Sequence, residues 1–231
     1  MDWIDELTRA TQAFAVLLDD ADLDADVPAC PGWTLLDLAE HLGGVHQWAA
    51  HAIEAGTPDG DPSPAPRERL ALAEWYRAHA HRLVRLLAEK GPDAPAWTFG
   101  PEPHTTAFWQ RRQVHETVMH LWDARASQGT LTDLDPALAL DGLDEIAGIF
   151  YPRQLRLGRT DPLPTGLALV VSDAPGHPGV VIGGAPGVTL EAPASSLLLL
   201  VWNRVDLPGS DVRINGDEAL AARLLQHAIT P

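Results

Sequence analysis

Apolar side chains recur every three to four positions through the first 150 residues and give way to short β-branched runs after about residue 160. Asp2 is placed to cap a first helix on which Trp3, Leu7, Ala10, Phe14, Leu17 and Leu18 share a face, ending near Asp19-Asp20. Pro28, Pro31 and Gly32 then forbid regular structure, and Trp33 supplies an apolar anchor. Thr34 followed by Asp37 resembles a capping box and opens a second helix with Leu35, Leu38, Leu42, Val45 and Ala49 inward. The proline-rich stretch 57–66 reads as an exposed loop. A third helix over 67–90 turns Leu72, Trp75, His79, Leu83, Leu86 and Leu87 inward and stops at Gly91-Pro92. After an irregular stretch over 92–104, a fourth helix begins near Thr105-Thr106 and runs to about Ser127, with Gly129 beyond it. Four amphipathic helices with two long connections predict a four-helix bundle. A fifth helix opens at Asp135-Pro136 and is expected to run to Phe150, where Tyr151-Pro152 breaks it.

In the second part of the chain, 167–171, 179–182, 188–190 and 212–214 have the β-branched texture of strands bounded by Gly and Pro. Segments 194–202 and 217–227 read as helices, with Asn215-Gly216 as a turn between strand and helix. The fold class expected is therefore an all-α bundle over 1–152 followed by a small α+β domain over 160–231.

Composition changes this picture mainly by exclusion. A 231-residue chain with 45% hydrophobic content has material for real cores, and a net charge of −16 opposes binding to nucleic acid or an anionic membrane. Cys30 is the single cysteine, so an intrachain disulfide is impossible. The start, Met1-Asp2-Trp3-Ile4-Asp5-Glu6, lacks the basic and apolar texture of a signal peptide, and the longest strongly apolar run, 197–202, is too short to span a bilayer. A cytoplasmic protein is expected.

The chemistry concentrates on the fourth helix. Glu116 and His120, four residues apart, leave one helical face about a turn from each other, the spacing of two metal ligands and equally of a solvated helix pair. His115 is five residues from His120 and so points elsewhere, which excludes the HExxH arrangement. Asp123 lies on the Glu116/His120 face, where it can fix the tautomer of His120 or face solvent. Arg112, one turn before Glu116, is placed to orient that carboxylate, to bind an anionic substrate, or to form a surface ion pair of little weight. On the second helix His41 and His46 flank opposite edges of the apolar stripe, and periodicity does not choose between them. Cys30 has no basic neighbour in sequence and reads as a small buried apolar residue.

Cys30-Pro31-Gly32-Trp33-Thr34, then Leu38-Ala39-Glu40-His41-Leu42, then Glu116, His120 and Asp123, resemble the mycothiol-dependent maleylpyruvate isomerase family of DinB-like metal-binding helix bundles. The resemblance runs through essentially the whole chain and extends to 198–204 and Asn215-Gly216-Asp217, which are similar to that family's sterol-carrier-like second domain. It implies a DinB-like four-helix bundle whose metal ligands are His41, Glu116 and His120, a metal that is usually zinc, and mycothiol as the thiol cofactor. It also implies a functional arginine from the second domain, for which Arg204 is the nearest match; Arg213 and a plain helix-capping role for Arg204 stay open. The implied activity is isomerisation or S-transfer on a small electrophile such as maleylpyruvate. A metal-dependent hydrolase and a non-catalytic metal or small-ligand binder remain as alternatives.

Overall fold

The computed structural model describes residues 1–208 and 210–231 and divides into two units, Met1–Thr132 and Asp133–Pro231. In the first unit, α1 (Trp3–Asp20), α2 (Leu35–Ala55), α3 (Arg69–Lys90) and α4 (Thr106–Ser127) form the bundle, with α1 and α2 each packed against α3 and α4. Asp2 accepts from the amides of Ile4 and Asp5 and caps α1. Thr34 and Asp37 close a reciprocal capping box at the start of α2, with the Thr34 amide donating to Asp37 Oδ2 at 2.9 Å. These caps satisfy amides that a helix start otherwise leaves without partners.

Packing follows the apolar faces. Leu35, Leu38 and Leu42 of α2 are fully buried with Phe14 and Leu18 of α1 and Leu72 and Tyr76 of α3; each such leucine contributes about 1.5–3 kcal/mol relative to exposure. Three expected core positions move. Val45 is half-buried, and on α3 the inward residues are Leu72, Ala73, Tyr76, Ala80, Leu83, Leu86 and Leu87, whereas Trp75 and His79 lie half-exposed at the edge of the stripe. Tyr76 and Ala80 sit one position further along the same helical turns, so a 3.6-residue period accommodates either pair.

The second unit contains a four-stranded mixed sheet in the order β2 (Val180–Ile182), β1 (Gly166–Val171), β3 (Pro186–Ala192), β4 (Arg213–Asn215). β1 pairs parallel with β3, and the outer pairs are antiparallel. α7 (Ala194–Val201) is mostly apolar, with Ser195 and Ser196 in its first turn, and nearly all of it is buried; α8 (Glu218–Leu225) is capped by Asp217.

Two expectations are corrected here. Helix α5 (Pro136–Glu145) does not end at Tyr151-Pro152: a π-helical turn over Ile146–Phe150 leads directly into α6 (Tyr151–Arg156). Pro152 has no N–H to give to the preceding turn, and the wider turn, in which Tyr151 N–H reaches back to the Ile146 carbonyl, carries the chain past it. The domain boundary also moves, from 152–160 to Thr132/Asp133. α5 packs on α7, the Leu134 amide donates to Ser195 Oγ at 3.0 Å, and Gln154 of α6 donates to the Thr230 carbonyl at 2.8 Å, so both helices belong to the second unit. Among the described residues, no helix is long and apolar enough to cross a membrane.

Candidate metal centre

Helix α4 is buried on more than one face, and its buried residues include Gln110, Arg112, Gln113, His115, Thr117 and Asp123. A polar group enclosed in a bundle must find partners or destabilise it by kilocalories, so the pairing of these side chains defines the centre. Glu116 divides its two oxygens. Oε2 accepts from Arg112 Nη2 at 2.6 Å, and Oε1 faces His41 Nε2 of α2 and His120 Nε2 of α4, each at 3.3 Å. His120 donates Nδ1–H to Asp123 Oδ2 at 2.9 Å, and Asp123 is fully buried. Cys30 Sγ donates to the same Asp123 oxygen across 4.0 Å, and the Trp33 ring stands 5.0 Å from that of His41.

The structure thus brings His41, Glu116 and His120 together, with one donor atom from each inside a 4.8 Å cluster, and sets Arg112 and Asp123 directly behind them. Arg112 is 3% exposed, so its pairing with Glu116 is not a surface ion pair. His115 lies on another face, edge-on to Trp3 of α1. His46, the alternative to His41, is fully buried away from the cluster, its Nε2 3.2 Å from Thr117 Oγ1 and its ring against Tyr76. Thr117 Oγ–H is given to the Gln113 carbonyl, so His46 Nε2 must donate to it. Burial holds the His46 pKa down to about 3.

Electrostatics follow the same division. Burial opposes ionisation of Glu116, but the Arg112 guanidinium and the hydrogen bonds from His120 and His41 outweigh it and hold the carboxyl well below its usual range. For His120, burial favours the neutral ring, yet the bonds to Asp123 and Glu116 prevail and raise it to about 9. An anionic carboxylate therefore faces two imidazoles in a pocket where positive charge is stabilised.

A metal ion fits this donor set. The bonds directed away from the cluster, 2.6 and 2.9 Å, have the lengths of charge-assisted hydrogen bonds, whereas the two inward distances of 3.3 Å are long for that class. Zinc bonds of about 2.0–2.1 Å would hold neighbouring donors of a tetrahedral set about 3.3–3.4 Å apart. Cys30 packs, half-buried, against the apolar core and also stands beside Asp123, so that with His120 and Asp123 it makes a second close group of donor atoms. The contact spans 93 positions, and only the Pro-Gly-Trp-Thr turn that brings Cys30 to the head of α2 hints at it.

Arg204 lies in the second unit. Asn203 adopts a left-handed conformation, φ 57°, and ends α7, with the amides of Asn203 and Arg204 bonded back to the Leu200 and Leu199 carbonyls. The Arg204 guanidinium donates to the Trp202 carbonyl at 2.7 Å and lies 5.6 Å from the centroid of the Trp202 ring. Arg213 is exposed and faces Glu191 at 3.4 Å.

Two family models match the chain, the mycothiol maleylpyruvate isomerase N-terminal domain over residues 4–125 and the C-terminal domain of the same family over 137–223. Two uncharacterized proteins from two strains of Mycobacterium tuberculosis are each 32% identical over 155 residues, covering 63% of this chain and 78% of theirs. A crystal structure of mycothiol-dependent maleylpyruvate isomerase superposes with a TM-score of 0.63 at 16% identity, covering 92% of this chain and 91% of that one. The structure of a mutant of that enzyme gives 0.61 at 15% identity, with 86% of each chain covered. At these identities the structural likeness establishes the fold.

Proposed function

From the premise that this chain belongs to the mycothiol maleylpyruvate isomerase family of enzymes, we propose that it is a metal- and mycothiol-dependent isomerase or S-transferase acting on a small electrophile such as maleylpyruvate. The observation that carries the metal in this reading is the contrast between the short bonds behind the ligands and the 3.3 Å separations in front of them. His41, Glu116 and His120 would hold a divalent ion, zinc by the match of two nitrogens and one oxygen, and leave a position for an incoming ligand. Such an ion supplies the positive charge that ionises a thiol at neutral pH.

The chain's own residues prepare that charge. Arg112 keeps Glu116 anionic and fixes its orientation. Asp123 takes Nδ1–H of His120, so that Nε2 is the nitrogen turned to the cluster. Trp33, against His41, restricts the motion of the one ligand whose side chain is about a third exposed. In the isomerase reading the thiolate sulfur adds to an activated alkene carbon while the π pair moves onto the conjugated carbonyl. The former double bond, now single, turns, and return of that pair re-forms the double bond as the C–S bond breaks and the sulfur leaves with its electron pair as thiolate. Protonation of the enolate carbon with the sulfur retained would make the same site an S-transferase. Arg204 enters as the second domain's functional arginine on the resemblance alone.

The test is turnover of maleylpyruvate by zinc-loaded protein with and without mycothiol. Product formation that needs both supports the proposal. Absence of turnover with maleylpyruvate and with a panel of electrophilic alkenes, in metal-loaded protein, overturns it.

A further inference from the structure

Two glycines stand side by side in the middle of α2, where each weakens a helix by about 1 kcal/mol relative to alanine. Packing explains one of them. A Cβ on Gly43 would lie 2.2 Å from the Trp75 ring, so that position must stay bare. Gly44 has no such reason, since a Cβ there would meet only Pro62 Cβ, at an ordinary 3.8 Å. What Gly44 does is keep a groove open. An open cavity of about 350 Å³ runs along α2 beside His41, Gly44 and Trp48 and is walled on the other side by residues 62–64. His41, Gly44 and Trp48 are spaced at i, i+3 and i+7, so they form one face that starts at a candidate ligand.

The walls are held in place before anything binds. Gln47 accepts from the Ser63 amide and hydroxyl at 2.9 and 2.8 Å and fastens the proline-rich loop to α2. Trp48 Nε1 donates to the Pro58 carbonyl at 2.8 Å, and its ring sits among those of Trp97, Phe99 and Trp109. The groove's lining includes one acid, Glu40, and no Lys or Arg. An anionic group would be repelled. A neutral ring carrying hydroxyls fits, with its C–H faces against Trp48 and the prolines and its O–H groups donating to Glu40.

We propose that this groove is the subsite for a neutral, hydroxylated ring attached to the group bound at the centre, and that Gly44 is bare so that the ring can approach the helix backbone. The inference rests on reading the centre as a thiol-activating metal site. It assigns the body of the thiol, rather than a carboxylated substrate, to the α2 side of His41.

Calorimetric titration of zinc-loaded protein with mycothiol, which carries a sugar–inositol body, and with N-acetylcysteine, which carries none, tests it. Wild-type protein should bind mycothiol at least about tenfold more tightly, a difference of about 1.4 kcal/mol. Gly44→Leu should abolish that preference while N-acetylcysteine still binds and zinc content stays at one per chain. Zinc-replete Gly44→Leu that keeps the preference overturns the inference, as does a wild type that binds both thiols equally. Should the leucine variant fail to fold, the double variant Glu40→Ala/Gly44→Ala decides on the same criterion: the added methyl makes only an ordinary contact, and Glu40 is exposed. Wild-type protein that binds neither thiol overturns the reading of the centre itself.

Discussion

His120 donates Nδ1–H to Asp123 Oδ2 across 2.9 Å, and that bond determines that Nε2 is the nitrogen facing Glu116. Replacing the carboxylate by an amide weakens the acceptor and frees the tautomer. Asp123→Asn should therefore lower zinc affinity by about 10–100-fold, read by competition with a chromophoric chelator. An unchanged affinity would remove Asp123 from the account.

Arg112 neutralises a buried carboxylate from a position that is itself buried. Arg112→Leu leaves Glu116 enclosed without its cation and should destabilise the metal-free protein by about 3–5 kcal/mol, measured by urea unfolding. Arg112→Leu/Glu116→Gln should recover much of the loss, because the uncompensated charge is gone. A double variant as unstable as the single one would contradict this.

Stability of the metal-free protein should fall on the alkaline side. The folded-state pKa of His120, about 9, lies above the ordinary 6.5, so its contribution is fully present below pH 6.5 and is lost as pH rises through 9. Zinc competes for the same nitrogen and must displace that proton, so zinc affinity should rise with pH over this window. Urea midpoints and chelator competition at pH 6.5, 7.5 and 8.5 check both slopes, and zinc affinity independent of pH would contradict the assignment of His120.

His46 predicts the opposite slope in acid. Its folded-state pKa, about 3, lies below 6.5, so the stability it confers is present above pH 6.5 and is lost as pH falls toward 3, at up to about 1.4 kcal/mol per pH unit. Unfolding free energies of wild type and His46→Gln between pH 7 and pH 4 should converge as the pH drops. Parallel curves would show that His46 does not take up the proton.

What the sequence reveals here is what is local. The Asp2 cap, the Thr34/Asp37 box and the Glu116/His120 face depend on residues within four positions of one another, and each is present in the structure. The choice of Tyr76 and Ala80 over Trp75 and His79 is set by which face α1 and α2 cover, and the helical period alone does not distinguish neighbours on one turn. The domain boundary escapes for the same reason: α5 is amphipathic in either unit, and only its packing on α7 assigns it. His41 and His46 are equivalent by periodicity. Their difference arises from α4, which brings Glu116 to one and Thr117 to the other. The contact of Cys30 with Asp123 needs the bundle to be assembled first.

The central claim is that His41, Glu116 and His120 bind one divalent ion. Elemental analysis of protein purified without added metal and then loaded with zinc, compared with His41→Ala and His120→Ala, tests it most directly. The account predicts about one zinc per chain in wild type and substoichiometric zinc in both variants with the helical spectrum retained. Wild type that holds no zinc after loading, or variants that hold as much as wild type, would contradict it.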